Sequence, residues 1–350
     1  MDFIYDANPS RVIFAAGARS TTGEELDRLG VSRIMVITTP PQAQIAAEFA
    51  RLIGARAGIV YPGAQVNTPT NVTEAALTAV SSVKADGILA IGSGTAIGLS
   101  KAIAWRTDLP QLVLPTTFGG SEMTAALVET ERGARTIQRS RQILPETVIY
   151  DPDLVSTLPT SIAGPSAMNA LAHSLEALYA KDGNPATSLM AEESIRALGN
   201  ALPRILADAR DKEAWTQALY GSWLAAACLG SVSMAVHHRI CHTLGGIFDL
   251  ADADIHCVLL PYTIAFNSKM APEAMSRAGR ALGSDDAASA LYDLMLKAAS
   301  QTSLKEMGLT RAALEKVADI AVNPACDNPR PVTRDSLLEI LTAAYEGERP

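Results

Sequence analysis

Histidine is scarce and grouped in this chain. The five are His173, His237, His238, His242 and His256, with none in residues 1–172 or 257–350. An imidazole changes charge near neutral pH and is a common metal ligand, so such a grouping suits proton transfer or a metal centre. Residues four apart on a helix share a face. Asn169 and His173 have that spacing, as do His238 and His242, with His237 beside the second pair. A lone histidine is usually a satisfied core residue, whereas three within six residues of an apolar segment point to a site. As a metal cage the set is incomplete, because zinc or iron sites normally include a carboxylate or a further histidine. The cysteines, Cys228, Cys241, Cys257 and Cys326, show no CxxC pairing and indicate neither a zinc knuckle nor a disulfide framework.

Two loops carry a second kind of chemistry. Gly92-Ser93-Gly94-Thr95 follows the apolar run Ile88–Ile91 and opens a helical pattern, Ala96–Trp105. Glycine lets backbone approach a phosphate, and the N–H groups and dipole of a helix N-terminus favour an anion. Glycine is also needed at many such turns for steric reasons alone, so the strand before and the helix after are what favour phosphate binding. The segment is neither a GxGxxG fingerprint nor a P-loop. The second loop, Pro115–Thr124, offers Thr116, Thr117, Gly120 and Ser121 to a polar ligand at the end of another apolar strand.

The elements that must position these residues fall into two halves. Residues 1–155 alternate β-branched runs (33–39, 57–61, 86–91, 111–114 and 147–150) with helical patterns over 41–53, 70–83 and 96–105. A hairpin is expected over 126–129 and 135–138, around Glu131-Arg132-Gly133. Strand and helix in alternation imply a parallel sheet covered on both faces, with ligands at the strands' carboxyl ends. Residues 156–350 are helical, with helices expected over 161–180, 187–207, 213–229, 233–248, 258–268, 285–299, 311–322 and 335–345. The fold class read from this is an α/β Rossmann-like N-terminal domain (1–155) plus an all-α C-terminal domain (156–350), enclosing a cleft.

Composition narrows the partners. Of 350 residues, 29 are Lys or Arg and 37 Asp or Glu, a net charge of −8, which argues against nucleic acid or an anionic membrane surface. The start, Met1-Asp2-Phe3-Ile4-Tyr5-Asp6, lacks the basic region of a secretory signal. Ser222–Val236, the most apolar stretch, is too short to span a bilayer. A cytoplasmic protein is expected.

Several of these segments together resemble the iron-containing alcohol dehydrogenase superfamily, whose fold is shared with dehydroquinate synthase and glycerol dehydrogenase. They are Gly92–Thr95 with Lys101-Ala102-Ile103-Ala104, Pro115-Thr116-Thr117 with Gly120-Ser121-Glu122, Tyr150-Asp151-Pro152, and His242-Thr243-Leu244-Gly245-Gly246 with Leu259-Leu260-Pro261. The resemblance spans nearly the whole chain. Residues 118–124, 138–140 and 237–250 are most similar to the branch that reduces maleylacetate to 3-oxoadipate with NADH or NADPH, late in aromatic-ring degradation.

The resemblance implies cofactor binding by Thr38, Gly92, Ser93, Gly94, Thr95, Thr116, Thr117, Gly120 and Ser121. It implies catalysis by His173, His237, His238, His242 and Arg141, with substrate contacts from Asn169, Arg139, Arg239 and Asp252, and sets His256 aside as a bystander. Asn169 stands where the metal-dependent members have an aspartate, and Asp252 where they have their last histidine, so no catalytic metal is expected. Without one, a protonated histidine must stabilise the enolate formed by hydride addition, and arginines must clamp a small dicarboxylate substrate. Thr38-Thr39-Pro40 has neither the acid that binds a ribose 2′-OH nor an arginine for a 2′-phosphate, which leaves NADH as first choice and NADPH as second. A homodimer is expected, with strand Arg11–Ala15 pairing across a two-fold axis. The competing readings are a metal-dependent alcohol or glycerol dehydrogenase, a lyase of the dehydroquinate synthase kind, and an inactive nucleotide-binding protein.

Overall fold

The computed structural model describes residues 3–5, 7–8, 10–132, 134–248, 250–323 and 326–350. Met1, Asp2 and Asp6 of the N-terminal segment, Gly133 of the hairpin and Asp249 of the histidine-rich segment lie outside the described residues. The chain divides into two compact units, one of residues 7–158 and one of 159–350 together with Phe3–Tyr5.

The first unit runs β1 (Arg11–Phe14), α1 (Thr22–Arg28), β2 (Ile34–Ile37), α2 (Ala43–Ile53), β3 (Ala57–Tyr61), α3 (Thr70–Val83), β4 (Gly87–Gly92), α4 (Gly94–Thr107), β5 (Gln111–Pro115), β6 (Ala126–Glu131), β7 (Ala134–Arg139), β8 (Thr147–Tyr150) and the single turn α5 (Pro152–Val155). Six strands form one parallel sheet in the order β1-β8-β5-β4-β2-β3, and β6 and β7 form an antiparallel hairpin with Val128 opposite Ile137. β2 and β4 are continuously apolar because helices cover both faces. Val36, Leu89, Leu114 and Ile149 pack with Leu26 of α1 and Phe49 of α2. The alternate residues Met35, Ile37 and Ile88 pack with Val72 of α3 and with Leu99 and Ile103 of α4. The helix α1 was not anticipated from sequence.

The second unit is helical: α6 (Thr160–Leu178), α7 (Pro185–Ala207), α8 (Lys212–Ser231), α9 (Val236–Ile247), α10 (Asp252–Asn267), α11 (Pro272–Leu282), α12 (Ala287–Ala298), α13 (Arg311–Ala321) and α14 (Arg334–Glu346). A stripe of Val236, Ile240 and Leu244 on α9 packs against Val258 and Tyr262 of α10 and Leu337 and Leu341 of α14. Two expectations need correction. Pro272–Leu282 is a helix, started by a proline in its first turn and ended by Gly283 in the left-handed region at φ 69°. α10 begins at Asp252, six residues earlier than expected from sequence, with Asp252 and Asp254 in its first turn complementing the dipole. Among the described residues no single helix is long and apolar enough to cross a membrane. The apolar run 222–236 is divided between α8 and α9, whose axes bend by 92°.

Candidate active site

The helical unit gathers all five histidines. His173 comes from α6, His237, His238 and His242 from α9, and His256 from the first half of α10. His238 is the hub. Its ring lies 5.0 Å from that of His173 (28° between planes), 5.4 Å from His237, 5.9 Å from His242 and 4.9 Å from His256. His242 is exposed and the other four are buried.

His256 is therefore no bystander. Read as loop, it had no reason to face the cluster; on α10, its Nδ1 lies 2.9 Å from Nε2 of His237. His237 Nδ1 in turn lies 2.9 Å from the hydroxyl of Thr263, seven residues beyond His256 and on the same face of α10. Alternation of donors fixes the tautomers. The Thr263 hydroxyl donates to a backbone carbonyl, Leu260 at 3.0 Å, so it accepts from His237 Nδ1–H. His237 Nε2 then accepts from His256 Nδ1–H. Both ring nitrogens of His237 are engaged inside the protein. Burial pushes the imidazoles of His173, His237 and His256 well below their ordinary pKa, with the neighbouring histidines adding to the effect.

Glu176, one turn after His173 on α6, was not singled out from sequence. It is fully buried and accepts from His238 Nδ1 at 2.7 Å and from the backbone N–H groups of Ala235 and His237, each at 2.8 Å. The three-residue step from His173 to Glu176 was a visible same-face signal. Its partner, however, is 62 residues away and only folding brings the two together.

Three buried polar atoms in this region make no hydrogen bond: Asn169 Oδ1, His173 Nδ1 and His238 Nε2. Native interiors rarely leave such atoms unpaired, so they mark where a ligand's polar groups would be received. They are a poor match for a resident iron or zinc. None of the three is a carboxylate, and Asp252, the carboxylate that could complete a cage, is exposed at the first position of α10. Among the described residues, the His, Cys, Asp and Glu side chains whose ligand atoms do converge are His237, Cys241 and His256. There the two imidazoles already share a hydrogen bond, and burial holds the Cys241 thiol well above its ordinary pKa, with Asp252 and Glu176 adding to it.

In the α/β unit the two loops lie at strand ends. Gly92 ends β4 at φ 147°, and a Cβ there would come within 2.9 Å of Gln42 Oε1 and 3.0 Å of Ala96, so glycine is required. The Ser93 hydroxyl caps α4, accepting from Thr95 N–H. The nearest atom to a Cβ on Gly94 would be Ser121 Cβ at 3.9 Å, which leaves the first turn of this 14-residue helix open to a phosphate. Thr116 Oγ1 accepts from Gln42 Nε2 at 3.0 Å, and Gly120, at φ 82°, opens a short 3-10 turn that begins at Ser121. Thr117 is half-buried in the same loop. Thr38 departs from expectation: it is fully buried and its hydroxyl donates to the Ile91 carbonyl at 2.8 Å, which ties β2 to β4.

The second loop is held from beneath by Lys101 of α4. Its buried ammonium donates to the carbonyl of Ser121, to the carbonyl and hydroxyl of Thr124, both at 2.8 Å, and to the carbonyl of Ala126 at 3.0 Å. Burial pushes its pKa down to about 7, against the opposing pull of Glu122, which itself accepts from the Tyr150 hydroxyl at 2.9 Å. Asp151 receives the N–H groups of Gly17, Arg19 and Asp153. These motif residues are architecture.

The expected substrate arginines are dispersed. Arg139, at the end of β7, and Arg141, just after it, are exposed in the α/β unit. Arg239, half-buried on α9, reaches the Cys326 thiol and lowers its pKa, though burial still raises that thiol overall.

Comparison with known proteins agrees with this layout. Residues 9–152 match the family "Iron-containing alcohol dehydrogenase", and residues 164–345 match "Fe-containing alcohol dehydrogenase family, C-terminal". The chain is 45% identical to a maleylacetate reductase of Sphingobium indicum over 350 residues, covering 100% of this chain and 99% of that one. Among solved structures, the maleylacetate reductase of Rhizobium sp. strain MTP-10005 superposes with a TM-score of 0.96 at 42% identity, covering 100% of both chains. An iron-containing alcohol dehydrogenase from Corynebacterium glutamicum superposes with a TM-score of 0.95 at 37% identity, over 99% of this chain and 98% of that one.

Proposed function

The chain belongs to the iron-containing alcohol dehydrogenase family, whose members are nicotinamide-dependent oxidoreductases, and from that premise we propose that it reduces maleylacetate to 3-oxoadipate in aromatic-compound degradation. The observation that carries the reading is the His238 ring, held by Glu176 at one nitrogen and left unpartnered at the other. The substrate comes from the likeness to the maleylacetate reductases. NADH, if held by the glycine loops, would supply hydride for the alkene carbon conjugated with the ketone. His238, protonated at both nitrogens, would then donate from Nε2–H to the oxygen on which enolate charge develops, in a buried setting where one hydrogen bond is worth far more than in water. His242, the exposed member, exchanges protons with solvent and completes the reduction at carbon, with His173 stacked against His238 to hold the ring in place. Asn169 supplies a polar contact beside them.

The diphosphate is assigned to Gly92, Ser93, Gly94 and Thr95, with Thr116, Thr117, Gly120 and Ser121 lining the cofactor. NADH is favoured because the end of β2 offers neither an acid nor an arginine, and Thr38 contributes packing only. Arg139, Arg141 and Arg239 are assigned to the substrate carboxylates. No catalytic metal is needed, since the cationic partner is protein-borne. β1 lies at the sheet's edge, where a second copy would add to it, and the free cysteines suit the cytoplasm.

The test is the loss of reduced-cofactor absorbance on adding maleylacetate, run with and without chelator. NADH consumption unaffected by chelator is expected. Activity abolished by chelator and restored by iron or zinc would sink the metal-free mechanism, and turnover of simple alcohols alone would sink the substrate.

A further inference from the structure

We infer that Glu176 is a positioning residue for the reaction: acting through the Nδ1–H of His238, it fixes the ring so that Nε2 is the nitrogen left for the substrate. This rests on the proposed role of His238.

The geometry is specific. Two of the three groups bonded to Glu176 are backbone N–H groups at the start of α9, from Ala235 at its N-cap and from His237. The carboxylate therefore sits on the positive end of a 12-residue helix and orients that helix and the ring it carries together. The remaining bond, 2.7 Å to His238 Nδ1, is charge-assisted and short. A ring flip would place carbon against the carboxylate, and stacking on His173 at 5.0 Å resists tilting. A fully buried carboxylate costs several kcal/mol unless its partners are in place. A neutral acceptor could tie α6 to α9 at less cost, and what only a carboxylate adds is compensation of positive charge on His238 while the enolate forms.

A purely structural tie predicts a different outcome, and a double-mutant cycle separates the two. Glu176→Gln keeps the volume and one backbone acceptor. We expect kcat for maleylacetate to fall about 100-fold, the KM for NADH to stay unchanged, and the double variant Glu176→Gln/His238→Asn to be no slower than His238→Asn alone. A further drop in the double variant, equal to that in the wild-type background, overturns the inference, because a structural tie acts in both. A second measurement needs neither turnover nor the folding of the Gln variant. The Nδ1–H shared with a buried carboxylate gives a proton resonance downfield of the amide envelope in the wild-type enzyme, and His238→Asn abolishes it. Its absence from wild type also overturns the inference. Its presence in a protein that does not turn over maleylacetate retires the substrate and leaves the role of Glu176 standing.

Discussion

Each unit contains a buried polar network, and the two end differently. Around Lys101 every group is spent: the ammonium has four acceptors, the Tyr150 hydroxyl goes to Glu122, and the capped ends of the network are backbone. Around His238 the bonding stops short, leaving His238 Nε2, His173 Nδ1 and Asn169 Oδ1 buried without partners. Burial, titratable groups and shifted pKa values are common to both networks, so none of these alone separates scaffold from site. What separates them is unspent hydrogen-bonding capacity gathered on three neighbouring side chains, which native interiors rarely leave without a ligand to receive.

The largest effects expected are opposite in kind for the two networks. His238→Asn, whose side-chain amide can still donate to Glu176, should lower kcat/KM by about three orders of magnitude with a much smaller effect on unfolding free energy. Lys101→Met should do the reverse, since it takes the ammonium donor from the Thr124 and Ala126 carbonyls and removes the charge facing Glu122. A stability loss of about 3 kcal/mol is expected, with kcat at saturating NADH retained. Urea unfolding followed beside steady-state kinetics reads both. Equal losses of activity and stability in each variant would erase the distinction.

Acid separates the networks by pH. The buried imidazoles of His173, His237 and His256 are neutral in the folded state, with pKa values well below 6.5. Unfolded, each takes up a proton near pH 6.5, so the unfolded state binds more protons, and stability is retained above that pH and lost as pH falls below it. Each histidine contributes a slope of roughly 1.4 kcal/mol per pH unit. Below pH 6 Lys101 is charged in both states and adds no slope. His256→Gln should therefore remove about one proton from the uptake on unfolding at pH 5–6, and Lys101→Met should remove none, as measured by urea titrations at several pH values.

The same contrast governs what was legible in the sequence. β3 at Ala57–Tyr61 and β8 at Thr147–Tyr150 fall where the β-branched runs place them, because β-branched and aromatic residues favour the pleated conformation locally. The glycine loops were legible for the same reason, each being bounded by an apolar strand and a helix. The site was legible only in part. The spacing of His238 and His242 is visible, but the acidic first turn of α10 hides the helical placement of His256, and a lone acid on an apolar helix such as Glu176 carries no mark of its partner. Thr38 erred in the other direction, since a hydroxyl at a strand end reads as ligand-facing until the Ile91 carbonyl is found beneath it.

The smallest expected effect tests the inner arm of the site, where His237 and Thr263 are fully satisfied and yet belong to the unsatisfied cluster. Thr263→Val preserves shape and removes the acceptor for His237 Nδ1–H. The ring can avoid an orphaned donor by moving its proton to Nε2, which obliges His256 to accept at Nδ1 and to carry its proton on Nε2 instead. The expected cost is about 1 kcal/mol of stability, with a modest fall in kcat. The decisive readout is the tautomer. With only five histidines in the chain, selective 15N-histidine labelling resolves each ring, and the His256 Nε2 signal should move from the unprotonated to the protonated range in Thr263→Val while remaining in place in Thr263→Ser. A signal that does not move would show that the order of protons along Thr263, His237 and His256 is set elsewhere. The inner arm would then join Lys101 as scaffold, leaving Asn169, His173, His242 and the His238–Glu176 pair as the extent of the site.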